Sequence, residues 1–221
     1  MLRRDFSYGL VAAGAASALT HSLAQAQGQA QAPRAYKEGD DFIALEKRVA
    51  TEAPTGKIEV VEFFWYSCGH CNAFEPALDA WIKKVPKDVA VRRVPIAFDP
   101  TFEAQQRLYY TIEAMGKVDA LHAKVFYAIH VEKQQIKTPA TIFDWVAKQG
   151  VDKAKFEALY NSFSVATKAR KATQLQNDFK VEGVPALGIA GRFYTSGALT
   201  QTMARALDVT DYLIGEVRKG R

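Results

Sequence analysis

The sequence has little cysteine, because only Cys68 and Cys71 occur in 221 residues. A disulfide-rich scaffold, a four-cysteine zinc module and a cysteine-ligated four-iron cluster each need more sulfur, so the count excludes all three. A chain of this length, 48% hydrophobic and 24% charged, can bury a full core without disulfide staples. The question is therefore what two closely spaced cysteines do.

The sequence also has little excess of one charge sign. Its formal net charge is only +5, and it contains no long basic run. Proteins that bind nucleic acid cluster Lys and Arg on one face or interleave them with aromatic residues. Here the basic residues are mixed with acidic ones throughout the chain. The composition indicates a solvated, mildly basic surface, and we expect no nucleic-acid partner.

Apolar runs long enough for a membrane span are missing at the N-terminus, where residues 9–19 are apolar but too few to cross a bilayer. This run follows Arg3 and Arg4 and precedes an A-x-A motif at residues 24–26, which is the order of a secretory signal peptide. We expect residues 1–26 to be a cleaved, twin-arginine-like export signal, with an ordinary Sec signal as the alternative. No stable membrane insertion is expected.

The following part of the chain predicts a βαβ unit. Residues 58–65 are β-branched and aromatic with apolar side chains on both faces, as in a central strand that is covered on both sides. Apolar residues then recur at helical spacing after Cys68, and residues 89–97 form a second, valine-rich strand. A strand, a helix and a strand at this spacing predict a parallel pair.

Helical periodicity dominates the stretch from residue 99 to residue 179. Thr138 and Asp152 are the expected N-caps of two of its helices, and the stripe predicted to face inward consists of Phe156, Leu159, Tyr160 and Phe163. A hairpin after residues 183–185 and an amphipathic C-terminal helix complete the chain. The pattern predicts one compact α/β domain with a helical insertion between its second and third core strands, after a flexible leader over residues 27–35.

The two cysteines fall where the first strand turns into a helix. Cys68 is expected at the helix N-terminus, where unpaired N–H groups and the positive end of the helix dipole stabilise a thiolate. His70 can donate a hydrogen bond or positive charge to the same sulfur. Cys71, one helical turn further on, can attack a mixed disulfide formed at Cys68. Together they predict a reversible two-electron redox site.

Other roles for the pair fit the sequence less well. A structural disulfide would close a loop too short to restrict the unfolded chain appreciably. Zinc would need two further ligands, but His21 lies in the signal, and His122 and His130 are eight residues apart without finger-like spacing. Two inert buried thiols are not expected at a strand-to-helix turn with a histidine between them. We expect neither metal nor nucleotide cofactor.

With these motifs placed, the sequence resembles the DsbA family of exported thiol:disulfide oxidoreductases, which have a thioredoxin fold interrupted by a helical domain. The resemblance covers nearly all of the chain after the leader. It rests on residues 36–45, Glu62-Phe63-Phe64, Cys68 to Cys71, Phe74-Glu75, the helical insertion and Gly183-Val184-Pro185-Ala186. It implies a thioredoxin-like domain made of residues 36–98 and 180–221, with the insertion spanning 99–179.

The resemblance also implies roles for residues far from the cysteines. Val184 and Pro185 are similar to the family's cis-proline loop, which faces the active site and presents backbone groups to an extended substrate. The alternative is an ordinary trans proline in a turn. Glu62, flanked by apolar residues, should be desolvated with a raised pKa, which suits proton exchange with Cys71. A purely structural acid is the alternative, and Glu59 is expected to be solvated.

The resemblance implies a periplasmic, monomeric oxidase that acts on unfolded exported polypeptides with free thiols. A quinone-linked, DsbB-like membrane protein would reoxidise it. A disulfide isomerase or reductase that uses the same pair is the alternative function, and a non-catalytic peptide-binding chaperone is a further one. Gly69 departs from the proline of the best-known family members, so we expect a somewhat weaker oxidant.

Overall fold

The computed structural model describes residues 35–220. The predicted export signal, residues 1–26, and all of the predicted leader except Ala35 lie outside the described residues. No helix in the described part of the chain is long and apolar enough to cross a membrane.

A single mixed sheet organises the described residues. Its strands are Ile43–Ala44 (β1), Ile58–Phe64 (β2), Val89–Pro95 (β3), Ala186–Ile189 (β4) and Phe193–Ser196 (β5). The strand order is β1-β5-β4-β2-β3, in which β2 is parallel to β3 and antiparallel to β4. The predicted parallel pair and the interior position of β2 are confirmed. The edge strand β1 was not predicted, because two residues carry no recognisable periodicity.

The described residues form eight helices in addition to this sheet. They are Gly69–Ile82 (α1), Glu103–Ala114 (α2), Val118–His130 (α3), Pro139–Lys148 (α4), Lys153–Tyr160 (α5), Phe163–Asp178 (α6), Gly197–Thr200 (α7) and Met203–Arg218 (α8). Five of them, α2 to α6, follow β3 and precede β4, with a short 3₁₀ turn at Pro100–Phe102 before them. The predicted N-caps are confirmed, since the Thr138 and Asp152 side chains accept hydrogen bonds from the backbone N–H groups of Thr141 and Lys155.

Two apolar clusters cover the two faces of the sheet. Val61 and Phe63 of β2 pack with the inserted helices, whereas Val60 packs with residues of α1 and α8. Neighbouring residues of a strand point to opposite faces, so β2 is buried from both sides. Packing on both faces holds β2 in place and thereby positions the turn that leads to Cys68.

Phe163 does not face the core, so the prediction that it points inward is wrong. Its side chain is 80% exposed, and the Arg170 guanidinium lies 5.8 Å from the centre of its ring. The predicted stripe assumed one continuous helical period. Helix α5 ends at Tyr160, however, and a separate helix, α6, begins at Phe163. The buried residues of α6 include Val165 and Ala169.

Candidate active site

Cys68 is the N-cap residue of α1, as predicted. Its backbone is extended, and its Sγ accepts a hydrogen bond from the backbone N–H of Cys71 at 3.3 Å. The sulfur thus occupies the position that a Ser or Asp oxygen takes in an ordinary N-cap, facing N–H groups that have no partner within the helix. This geometry favours a negative charge on the Cys68 sulfur.

The two cysteines are chemically unequal. Both are free, Cys68 is partly exposed, and Cys71 is 0% exposed. The pKa of Cys68 is lowered to about 6, chiefly by the hydrogen bond from the Cys71 thiol and further by the backbone N–H groups of Cys71 and His70. These effects outweigh burial, which alone would raise the pKa. Burial, followed by the hydrogen bond to Cys68, raises the pKa of Cys71 far above its ordinary value. Near neutral pH, Cys68 is therefore the thiolate and Cys71 the thiol.

This inequality predicts the titration of the reduced protein. Thiolate absorbance at 240 nm, recorded against pH, should show one transition with a midpoint near 6, which comes from Cys68. The transition should be absent from Cys68→Ser and present in a Cys71→Ser variant, whose hydroxyl can still donate to the sulfur. A midpoint above 8 in the wild type would contradict this assignment of charge.

The segment before β4 lies beside Cys68. The Val184–Pro185 peptide bond is cis, which confirms the predicted backbone geometry. Cys68 Sγ lies 3.4 Å from the Val184 carbonyl oxygen, to which it can donate when it is protonated. An open cavity of about 890 Å³ begins here. Its lining includes His70, Phe179, Val184, Pro185, Leu199 and Met203. Cys68, His70 and the Val184–Pro185 loop are thus brought together at one surface, with His70 exposed at the start of α1.

Glu62 lies in the middle of β2 and is 0% exposed. Burial raises the pKa of this carboxyl to about 8, although Arg93 Nη1 lies 3.1 Å from its Oε2 and opposes the rise. The predicted desolvation of Glu62 is therefore confirmed. Its other oxygen, Oε1, has no hydrogen-bond partner among the described residues. The charge of Glu62 also contributes to the raised pKa of Cys71, so the two groups share one electrostatic environment.

Arg93 holds Glu62 within a larger buried cluster that was not predicted. Its Nη1 donates to Glu75 Oε2 at 2.7 Å and lies 2.7 Å from Nε2 of His122, and its Nη2 donates to Asp79 Oδ1 at 2.7 Å. Burial alone would raise the pKa of Glu75, but the Arg93 guanidinium that donates to this carboxylate holds the pKa below its ordinary value. One sequence feature could have indicated this cluster, namely an arginine within the predicted valine-rich strand. In the structure, that residue, Arg93, lies opposite Glu62 in the parallel pair.

Glu59 is not solvated, so that prediction is wrong. Its side chain is 3% exposed and accepts hydrogen bonds from Nε and Nη2 of Arg92, each at 3.2 Å. The backbone N–H of Glu52 donates to the same carboxylate at 3.0 Å. The start of a strand is solvated only where nothing covers it, and here the preceding segment and Arg92 of β3 both do so.

The inserted helices hold the turn that leads into Cys68. Within this turn, Tyr66 Oη lies 2.8 Å from Nδ1 of His122, and Nε2 of His130 donates to the Tyr66 carbonyl at 2.8 Å. Ser67 Oγ accepts from Nε2 of Gln105 at 2.9 Å. Helices α2 and α3 thus fix both residues that precede Cys68. Sequence reasoning missed these contacts, since nothing in the chain order pairs residues so far apart.

The chain is similar to known proteins over most of its length. Residues 59–208 match the family described as DSBA-like thioredoxin domain. A protein of Burkholderia cepacia named thiol:disulfide interchange protein DsbA is 39% identical over 203 residues, which cover 91% of this chain and 96% of that protein. The protein of the same name from Bordetella pertussis is 42% identical over 190 residues, covering 85% and 90%. The crystal structure of Pseudomonas aeruginosa DsbA superposes with a TM-score of 0.80 at 37% identity, covering 84% of this chain and 96% of that one.

Proposed function

The chain belongs to the family of DsbA-like thioredoxin domains, and from this premise we propose that Cys68 and Cys71 are the redox pair with which it introduces disulfide bonds into newly exported proteins. The fold is a thioredoxin fold with inserted helices, and the activity is that of a thiol:disulfide oxidoreductase. The observation that carries the assignment is the position of Cys68 at the α1 N-cap, with Cys71 buried one turn behind it.

In the first step, a substrate thiolate attacks Sγ of Cys68 in the disulfide form of the pair. The Cys68–Cys71 bond breaks, a bond between Cys68 and the substrate forms, and Cys71 leaves as a thiolate that takes up a proton. Attack at Cys68 rather than Cys71 follows from exposure, because Cys68 is partly accessible and Cys71 is buried.

In the second step, another substrate thiolate attacks the substrate sulfur of the mixed disulfide. Cys68 leaves as a thiolate, and the substrate acquires its disulfide bond. The substrate has lost two electrons, which reside in the reduced pair. Cys68 is a good leaving group because its pKa is lowered to about 6, and a thiol with a lower pKa leaves faster.

Glu62 supplies the proton that Cys71 needs in the first step. A carboxyl group with a pKa raised to about 8 is still protonated at neutral pH and can act as an acid toward a buried thiolate. During reoxidation the same carboxylate accepts the proton back. His70 assists at Cys68, where its charge contributes to the lowered pKa of that sulfur.

The substrate is held beside Val184 and Pro185. An extended segment can pair with the backbone there while its cysteine approaches Cys68, whose sulfur lies 3.4 Å from the Val184 carbonyl oxygen. The adjoining cavity, with Leu199 and Met203 in its lining, accepts apolar side chains of an unfolded client.

The compartment is the periplasm, reached through the export signal expected in residues 1–26. There the protein acts as a monomer on polypeptides with free thiols, and a quinone-linked, DsbB-like membrane protein removes the electrons from the reduced pair. Disulfide bonds persist in that compartment because it is kept oxidising.

Thiol trapping in cells that export the protein tests this function. After acid quenching and alkylation, most molecules should contain the Cys68–Cys71 disulfide, because the resting form of an oxidase is its oxidised form. A pair found mainly as the dithiol, in cells whose exported proteins remain disulfide-bonded, would instead indicate a reductase or an isomerase. A Cys68→Ala, Cys71→Ala double variant provides the fully unreactive control.

A further inference from the structure

His122 lies in the buried charge cluster although it belongs to the inserted helix α3. It is 4% exposed, and both of its ring nitrogens have polar neighbours. Its Nε2 lies 2.7 Å from Arg93 Nη1 and 3.5 Å from Glu75 Oε2, and its Nδ1 lies 2.8 Å from Tyr66 Oη. The inserted helices therefore reach the groups that surround Glu62.

These contacts determine where the proton of the imidazole sits. A guanidinium group can only donate hydrogen bonds, so Nε2 of His122 must accept from Arg93. A neutral imidazole with a lone pair on Nε2 carries its hydrogen on Nδ1, which then donates to Tyr66 Oη. A cationic ring would place an N–H group against Arg93. Burial also lowers the pKa of His122, which agrees with a neutral ring.

Arg93 Nη1 has fewer hydrogens than it has acceptor groups around it. This nitrogen carries two hydrogens, yet it contacts three groups: it lies 3.1 Å from Glu62 Oε2, 2.7 Å from His122 Nε2, and 2.6 Å and 2.7 Å from Oε1 and Oε2 of Glu75. With one hydrogen donated to His122, the two carboxyl groups compete for the other, and Glu75 is the nearer. Glu62 is left with the longest contact of the three and with an Oε1 that has no partner among the described residues.

The other groups that face this cluster favour the same outcome. Helix α1 contributes Glu75 and Asp79, whose negative charges raise the proton affinity of Glu62, and β3 contributes Arg93, whose charge lowers it. Tyr66 and Tyr109 lie against the His122 ring, with ring centres 5.3 Å and 5.8 Å away, and burial raises the pKa of both phenols. Neither phenol therefore brings a charge near neutral pH.

We propose that His122 is a positioning residue of the redox site: by accepting a hydrogen bond from Arg93 it withholds that hydrogen from Glu62 and keeps Glu62 protonated for exchange with Cys71. This inference rests on the function proposed above, in which Glu62 is the proton partner of Cys71. It assigns to the helical insertion a direct part in the chemistry of the sheet domain, because α3 supplies the acceptor.

The titration of Glu62 tests the proposal. In reduced full-length protein labelled with ¹³C at the glutamate carboxyl carbon, the Glu62 resonance is the one that Glu62→Gln removes, and its midpoint is expected near pH 8. His122→Phe keeps an aromatic ring among Phe64, Tyr109 and Phe126 but removes the acceptor. It should lower the midpoint by about one pH unit, because Arg93 regains a hydrogen for Glu62.

His122→Gln is the conservative control, since its amide oxygen can still accept from Arg93, and its midpoint should stay close to that of the wild type. His122→Leu is a second apolar variant for the case that His122→Phe does not fold. An unchanged midpoint in a folded apolar variant would overturn the proposal, as would an equal shift in His122→Gln. Failure of the proposed function would show separately, as a wild type that does not oxidise a reduced protein.

Discussion

Cys68→Ser is expected to abolish disulfide transfer and to form no mixed disulfide, whereas Cys71→Ser is expected to accumulate one. Cys68 is partly exposed with a pKa lowered to about 6, so its thiolate can attack the disulfide of a model peptide. Without Cys71 no second thiol resolves the adduct, and it persists. In Cys68→Ser the remaining Cys71 is buried and protonated, so it does not react.

Intact-mass spectrometry after incubation with an oxidised peptide dimer distinguishes these outcomes. Cys71→Ser should gain the mass of one peptide, and Cys68→Ser should gain nothing over the same interval. Both variants should oxidise a reduced protein no faster than buffer does, because neither can hold the internal disulfide. Adduct formation in Cys68→Ser would mean that Cys71 is the accessible nucleophile and that the assigned order of attack is wrong.

Arg93→Met should lower the free energy of unfolding of the reduced protein by about 3–5 kcal/mol at pH 7. The substitution removes the cation that contacts Glu62 and Glu75, and both carboxyl groups stay buried. A buried charge that has lost its partner costs far more than the intact pair contributes. Methionine keeps most of the side-chain volume, so the loss measures charge rather than packing.

The effect of Arg93→Met should depend on pH. In the wild type, Arg93 holds the pKa of Glu75 below its ordinary 4.5, so the stabilising effect of this carboxylate is present above pH 4.5 and is lost as the pH falls through the lowered pKa. Without Arg93, burial of Glu75 is less opposed and its pKa rises, so the variant loses stability as the pH increases. The two unfolding free energies should therefore differ most at neutral pH, differ less at about pH 4.5, and converge only at lower pH, where Glu75 is protonated in both proteins.

Urea unfolding at pH 7 and pH 4.5 measures this difference. Arg218→Met is the matched control, since its partner Asp88 forms an ion pair in which both side chains are more than 40% exposed. Pairs of this kind contribute little, so the control should unfold like the wild type at both pH values. An equal loss of stability at both pH values in Arg93→Met would show that packing, not charge, explains the effect.

Features that depend on neighbours in the chain could be predicted from the sequence. The placement of Cys68 at a helix N-terminus follows from a β-branched run that ends just before a helical period. The caps at Thr138 and Asp152 are equally local. The cis bond before Pro185 needed the family resemblance, because nothing in the adjacent residues distinguishes a cis proline from a trans one.

Features that depend on what covers a residue could not be predicted. The burial of Glu59 results from Arg92 and from the backbone of Glu52, neither of which lies beside it in the chain. The same limit applies to His122, which was considered only as a zinc ligand. Its contacts with Arg93 and Tyr66 span 29 and 56 positions. Helical periodicity places His122 on a helix but does not show which strand that helix meets.

Counting thiols in a single turnover tests the central claim most directly. The protein in its Cys68–Cys71 disulfide form is mixed with an equal amount of a reduced, unfolded test protein, quenched with acid and alkylated. The account predicts that the test protein loses two thiols for each molecule of enzyme, while Cys68 and Cys71 both become available to the alkylating reagent. A test protein that keeps all its thiols, or one oxidised equally well by the Cys68→Ala, Cys71→Ala variant, would contradict the account.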